Sequence, residues 1–174
     1  MQMFVVDNDK TMERLINDRE YVEKIFVTYD VKNMNLYLQH LTDIKHIEFA
    51  FFCNYETDFS KLTNLKSLIF GYCYDKKTDL SMFVNLTYLH MGYHFNQELD
   101  LSTLTNLEFL FTGGLYNKKT DLSNLSNLTH LMFGNCYNQF TDISNLTKLK
   151  LLDEKNIDNL NLCRYRNGIF YKKN

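Results

Sequence analysis

Leu128-Thr129-His130-Leu131-Met132-Phe133-Gly134 spaces two leucines three residues apart and follows them with an apolar residue at 133. The same Leu-x-x-Leu opens at Leu65, Leu86, Leu107 and Leu149, at intervals of 21 residues with no slippage. One period upstream, Ile44 and Ile47 hold those places, and 22 residues further back Val22, Ile25 and Val27 do. A fixed period in this range marks a repeat array, in which each unit is one supersecondary element stacked on the next.

Numbered over 21 places from each first leucine, the apolar residues fall at positions 1, 4, 6, 9, 16 and 19. From Leu128 these are Leu131, Phe133, Cys136, Ile143 and Leu146; from Leu107 they are Leu110, Thr112, Leu115, Leu122 and Leu125. Positions 4 and 6 alternate as a short strand does. Positions 16 and 19 are three apart, which suits a 3₁₀ turn or one turn of helix. No unit can bury its apolar face alone, so stacked units share one core and neighbour interfaces decide stability.

Polar residues repeat as well. Position 15 is Asp58, Asp79, Asp100, Asp121 and Asp142; position 17 is Ser60, Ser81, Ser102, Ser123 and Ser144; position 21 is Asn64, Asn85, Asn106 and Asn127. An aspartate just before an apolar residue caps the turn that follows, so the column reads as capping rather than as a calcium ladder. The Ser and Asn columns are expected to satisfy backbone groups in tight turns.

These residues resemble the leucine-rich-repeat family, whose strand signature is LxxLxLxxN/CxL, with Cys73 and Cys136 at the Asn/Cys place. Asp142-Ile143-Ser144-Asn145-Leu146-Thr147-Lys148-Leu149 looks like its short-repeat subclass, found in bacterial internalins and in a phosphatase-regulatory subunit. Leu128-Thr129-His130-Leu131-Met132-Phe133-Gly134, with Tyr137-Asn138-Gln139, is similar to FNIP repeats of social amoebae and giant amoebal viruses. Phe95-Asn96-Gln97 and Tyr116-Asn117 echo it, although the Ile-Pro of that family is missing from a chain without proline. The resemblance covers about residues 22–152. It implies a repeat solenoid with a concave parallel sheet of about six to seven short strands, a convex side of 3₁₀ or short helical turns and loops, and protein binding. Many FNIP proteins carry an F-box; residues 1–21 are too short for one, so an adaptor role of that kind is not expected.

The 174 residues, 45% of them hydrophobic, suit one domain with a continuous core. Residues 1–21 read as an N-terminal cap, 22–152 as repeats and 153–174 as a C-terminal cap. In the first, Met3-Phe4-Val5-Val6 reads as a strand, and Met12, Leu15 and Ile16 have helical spacing after Asp9, a candidate N-cap. In the last, Ile157, Leu160 and Leu162 restart the pattern out of register, Gly168-Ile169-Phe170-Tyr171 reads as a closing strand, and Arg164, Arg166, Lys172 and Lys173 make a solvated basic tail. Net charge is −2, so no global field draws the chain to nucleic acid or membrane. Residues 1–16 have no apolar run of leader type, and Cys53, Cys73, Cys136 and Cys163 show no paired spacing. The expected setting is reduced and cytoplasmic, or the host cytoplasm for a viral protein.

The candidate site is the concave face. In this register positions 2, 3, 5, 7 and 8 leave the core. Position 8 is Tyr29, Phe51, Tyr72 and Tyr93, then Gly114 and Asn135; position 3 includes Tyr88, Phe109 and His130; position 5 includes His90, Phe111 and Met132. We expect Tyr72, Tyr88, His90, Tyr93, Phe109, Phe111, His130 and Met132 to form a protein-binding surface, since exposed aromatic clusters mark such surfaces. Ala50, Gly71, Gly92, Gly113 and Gly134 at position 7 would let a partner approach the backbone. The competing reading is an aromatic ladder that only stabilises the sheet, with a self-assembling solenoid as the alternative function and a glycan site as a third. The column of Tyr74, Phe95, Tyr116 and Tyr137 at position 10 is expected to pack.

No catalytic constellation emerges. His46 and His130 share a column four turns apart, roughly 19 Å, too far for one metal. His94 falls at core position 9, and Cys73 and Cys136, at the same position three turns apart, read as buried fillers that cannot pair. Gly113-Gly114 precedes no helix. No enzyme, metal or cofactor is expected; the partner is a protein, not nucleic acid or membrane, and the chain is expected to be a monomer or weakly self-associating.

Overall fold

The computed structural model describes residues 3–17, 22–28, 31–139 and 141–150, and the backbone alone of 151–152, 164–166 and 169–171. Tyr29, Cys163, Ile157, Leu160, Leu162, Gly168, Lys172 and Lys173 lie outside it.

Eight strands form one parallel sheet in chain order: β1 Met3–Val6, β2 Lys24–Val27, β3 His46–Phe49, β4 Ser67–Ile69, β5 Tyr88–His90, β6 Phe109–Phe111, β7 His130–Met132 and β8 Leu151–Leu152. The register is one repeat per strand: Ser67 pairs with Tyr88, Tyr88 with Phe109, and Phe109 with His130. In each three-residue strand the middle residue is buried and its neighbours are half-buried, which is the period-two pleat read from positions 3, 4 and 5. This is a leucine-rich-repeat solenoid. The strand beyond the expected six to seven is β1, which joins the sheet through β2. Tyr171 and its neighbours do form a strand, β10 Ile169–Tyr171, but it pairs antiparallel with β9 Arg164–Arg166 in a separate hairpin and not with the repeat sheet.

The convex side begins with helices α1 Asp9–Asn17 and α2 Met34–Leu38 and continues as tight turns. In the later turns the N–H of Phe83 donates to Leu80 and that of Leu86 to Phe83, at 3.0 and 2.9 Å, and the same pair of three-residue steps recurs from Leu101 and Leu122. Positions 16, 19 and 1 thus fall on the inner side, and Leu80, Phe83 and Leu86 are buried. The aspartate column caps these turns: the amides of Ser60, Ser81, Ser102, Ser123 and Ser144 each donate to the carboxylate two residues earlier, at 2.9–3.0 Å. The Asn column ties turns together, with Asn64, Asn85, Asn106 and Asn127 donating to carbonyls of the preceding turn.

Two expectations need correction. Asn8, not Asp9, caps α1, its side-chain oxygen accepting from Thr11 N–H at 3.0 Å while Asn8 N–H returns a bond to Thr11 Oγ1. Asp9 instead accepts from the Lys32 and Asn33 amides ahead of α2, tying the first two turns together. The second correction is larger. Position 9 is not a core place: Cys136 and His94 are exposed and Cys73 is half-buried. The buried column is position 10, comprising Cys53, Tyr74, Phe95, Tyr116 and Tyr137. The reason is a tight turn spanning positions 7 to 10, closed by bonds such as Tyr74 N–H to Gly71 O and Tyr116 N–H to Gly113 O, both 3.0 Å. That turn ends the alternation after position 6 and swings position 10 back inside.

Candidate binding face

The turn at positions 7 to 10 divides the expected concave surface in two. Positions 3 and 5 stand on the sheet, whereas position 8 is a turn corner on the rim beyond the strands' C-terminal ends. All eight residues named from sequence are at least partly accessible, but in two groups.

On the rim, Phe51, Tyr72 and Tyr93 stack face to face with centroids 4.4 and 4.7 Å apart and planes 5° and 1° apart. They are the exposed group, at 51%, 38% and 39% of full exposure. The spacing equals the strand separation of about 4.8 Å, so the parallel sheet imposes the stack. Phe52 and His94, at position 9, join it: Phe52 meets Phe51 edge-on at 4.8 Å, and His94 meets Tyr72 edge-on at 5.2 Å. Phe52 is the most exposed large apolar side chain of the group at 66%. Sequence reasoning passed over both residues because it assigned their column to the core.

On the sheet, Tyr88 lies 5.7 Å from Phe109 and 5.5 Å from Phe111, and Phe109 stacks on His130 at 4.3 Å. His90 lies 5.9 Å from Phe111. These residues and Met132 are half-buried by one another. Burial holds His90 below the ordinary histidine range, against a weaker opposing pull from Glu48, and its Nδ1 is buried without a hydrogen-bond partner. Burial likewise pushes the Tyr88 hydroxyl up, with Glu48 adding to it. The centre of the face is therefore apolar, with the Glu48 charge beside it. Towards β2 and β3, His46 is held down by burial first and then by the Lys24 charge.

A groove of about 410 Å³ joins the two groups, with Tyr72 and Tyr93 on the rim side and His90, Phe111 and Met132 on the sheet side. Its floor is glycine. The glycine column is also required by the solenoid itself: a Cβ on Gly71, Gly92, Gly113 or Gly134 would lie 1.9–2.0 Å from the carbonyl oxygen of the preceding turn. Small residues are needed there because turns approach each other backbone to backbone. Among the described residues no group of three or more His, Cys, Asp or Glu is placed to hold a metal ion. Among them no helix is long and apolar enough to cross a membrane.

The array thus presents a leucine-rich-repeat solenoid whose regular polar ladders face outward on the convex side and whose accessible aromatic side chains gather on the sheet and its rim. Among solved structures the chain is similar to internalin C2 of Listeria monocytogenes strain 4b F2365, at 22% identity and a TM-score of 0.54, over 91% of this chain and 74% of that one. At that identity the likeness concerns the fold. No protein-family model and no curated protein matches the sequence, so the FNIP likeness rests on its own residues alone.

Proposed function

We propose that this chain is a protein-interaction module, without catalytic activity, that takes its partner on the aromatic sheet face and rim formed by Tyr72, Tyr88, His90, Tyr93, Phe109, Phe111, His130 and Met132. The observation that carries this reading is the asymmetry of exposure. Aromatic rings at position 10 are buried, whereas those at positions 3, 5 and 8 remain accessible on the sheet and its rim. Sheet packing alone does not require Tyr72 and Tyr93 to stay more than a third exposed. Interfaces are enriched in such anchors. A glycan receptor fits less well, because the stacked rings of the rim spend their faces on each other and present edges outward. Residues 1–21 and 153–174 are taken as the two caps of the array.

The test compares the native chain with a Tyr88→Ser, Tyr93→Ser, Phe109→Ser variant in affinity capture from amoebal lysate, after circular dichroism shows that the variant folds. A partner held by the native chain and lost by the variant supports the face as the site. Identical capture by both removes it. A second reading, self-association, draws on β1: Met3 and Val5 are 42% and 49% exposed on a strand that, among the described residues, pairs with β2 alone. Uncharged edge strands invite pairing with another chain. Sedimentation that stays monomeric at high concentration would exclude it.

A further inference from the structure

His90 stands in the middle of the sheet face, in register between Ile69 on β4 and Phe111 on β6. Its ring lies 5.9 Å from Phe111, and Phe111 lies 5.5 Å from Tyr88, so the two rings of β5 share one neighbour. Tyr88 in turn reaches Phe109, which stacks on His130. His90 also lines the groove between sheet and rim. Its Nδ1 is shut off from solvent and, among the described residues, has no hydrogen-bond partner.

That placement suits one protonation state. A neutral imidazole leaves one ring nitrogen bare, whereas the imidazolium carries N–H on both. A proton taken up at His90 therefore puts a charged donor at Nδ1 with nothing to receive it. The packed elements give no relief in place. Ser67 and Ile69 on β4, and Phe109 and Phe111 on β6, carry no charge. The Tyr88 hydroxyl, pushed up by burial, stays protonated, and from the rim only Tyr72 and Tyr93 among titratable groups line the groove. The charge that acts on His90 is Glu48, two strands back in the same column and roughly 10 Å away by strand spacing.

The other histidines of the face are built differently. His130 Nδ1 lies 2.8 Å from Thr129 Oγ1, a hydroxyl that donates to Glu108 O and so can accept from the ring. His46 sits among Lys24, Lys45 and Lys66 with Glu23 opposing them, and among the described residues it stacks on no ring of the cluster.

We propose that His90 is a proton-operated latch of the sheet face: in mild acid its ring leaves Phe111 for water, the aromatic cluster opens, and a partner held at neutral pH is released. The inference rests on the binding-face reading and adds its regulation. The folded state gives up this proton more readily than the unfolded chain. The closed cluster is therefore present above the ordinary histidine value of 6.5 and is lost as pH falls below it.

NMR on the full chain between about pH 8 and about pH 5 tests the latch. Overhauser contacts between the His90 and Phe111 rings are expected at the upper end and are expected to vanish as the His90 ring titrates. Glu48→Gln removes the charge that favours the proton and is expected to move that midpoint lower. His90→Phe keeps a ring beside Phe111 but takes no proton, so the contacts of its new ring with Phe111 are expected to persist throughout. Contacts in the native chain that survive the His90 titration, or an equal loss in His90→Phe, would overturn the latch. The wider reading fails separately. Partner capture that depends on Tyr88 and Phe109 but is retained at about pH 5 by the native chain and His90→Phe alike would sink the release and leave the face standing. Capture indifferent to Tyr88 and Phe109 would sink the face itself.

Discussion

Tyr116 Oη and Thr120 Oγ1 lie 2.5 Å apart inside the core, and one turn earlier the same two places are held by Phe95 and Leu99, with neither hydroxyl present. Tyr74 with Thr78 and Tyr137 with Thr141 repeat the polar pair. At the turn of Phe95 and Leu99 both members of the pair are changed together. A buried hydroxyl left without its partner is costly, whereas an apolar pair of the same shape is nearly neutral. Tyr116→Phe is expected to lower stability by about 1–2 kcal/mol. Adding Thr120→Val should cost less than the sum of the two single changes, because Phe95 and Leu99 show that the turn accepts the apolar version. A double-mutant cycle by chemical denaturation reads the coupling; strict additivity would mean the two hydroxyls act independently.

The same tyrosines set the alkaline limit. Burial pushes Tyr116 up to about 12 from an ordinary 10.0, and raises Tyr74 and Tyr137 as well. The folded state holds these protons more tightly than the unfolded chain, so their contribution is fully present below pH 10 and is lost as pH rises toward 12. Ionisation of Tyr74, Tyr116 and Tyr137, followed by their own ring resonances, and loss of ellipticity are expected to occur together in that window. Ionisation near pH 10 with the fold intact would show these hydroxyls to be accessible.

The aspartate column sets the acid limit. Bonds from the backbone and side chain of Ser81 hold Asp79 below its ordinary 3.8, and the matching serines do the same for Asp58, Asp100, Asp121 and Asp142. The folded state releases these protons more readily, so this stabilisation is present above pH 3.8 and is lost as pH falls through the depressed values. Replacing Asp79, Asp100, Asp121 and Asp142 by Asn keeps an acceptor for each serine amide but removes the titration. The expected result is a flatter acid limb of the stability profile, with little change at neutral pH. An unchanged acid limb would assign it to other carboxylates.

The fold was legible because one physical rule repeats: Leu65, Leu86, Leu107 and Leu128 each mark the last residue of a capped convex turn before a strand. The site was legible in composition but not in partition. Alternation carried past the strand puts Tyr72 and Tyr93 beside Tyr88 and Phe109. The hydrogen bonds from position 10 back to position 7 break that alternation. A column of Cys73, His94 and Cys136 reads as core-compatible by residue type, and only the turn geometry places it outside. The ladder in which Asn54, Asp75, Asn96 and Asn117 each accept from the amide one turn onward was also unread, although the residues recur every 21 places. A recurring short polar residue at the end of a buried turn was the signal for it.

Two glycines one turn apart should respond differently to the same methyl group. At Gly92 an added Cβ would lie 2.0 Å from the Gly71 carbonyl oxygen, a backbone atom that cannot move unless two turns separate. At Gly114 it would meet the ring of Tyr93, which is exposed and can rotate away. Gly92→Ala is therefore expected to destabilise the chain by at least about 2–3 kcal/mol, at or beyond the upper end of ordinary overpacking. Gly114→Ala should cost under about 1 kcal/mol while unseating the rim column. Denaturation curves give the first comparison. The second is read from the Tyr93 ring resonances, whose upfield stacking shifts should shrink in Gly114→Ala and persist in a folded fraction of Gly92→Ala. Equal stability losses would mean that the column, and not the backbone approach, limits both positions.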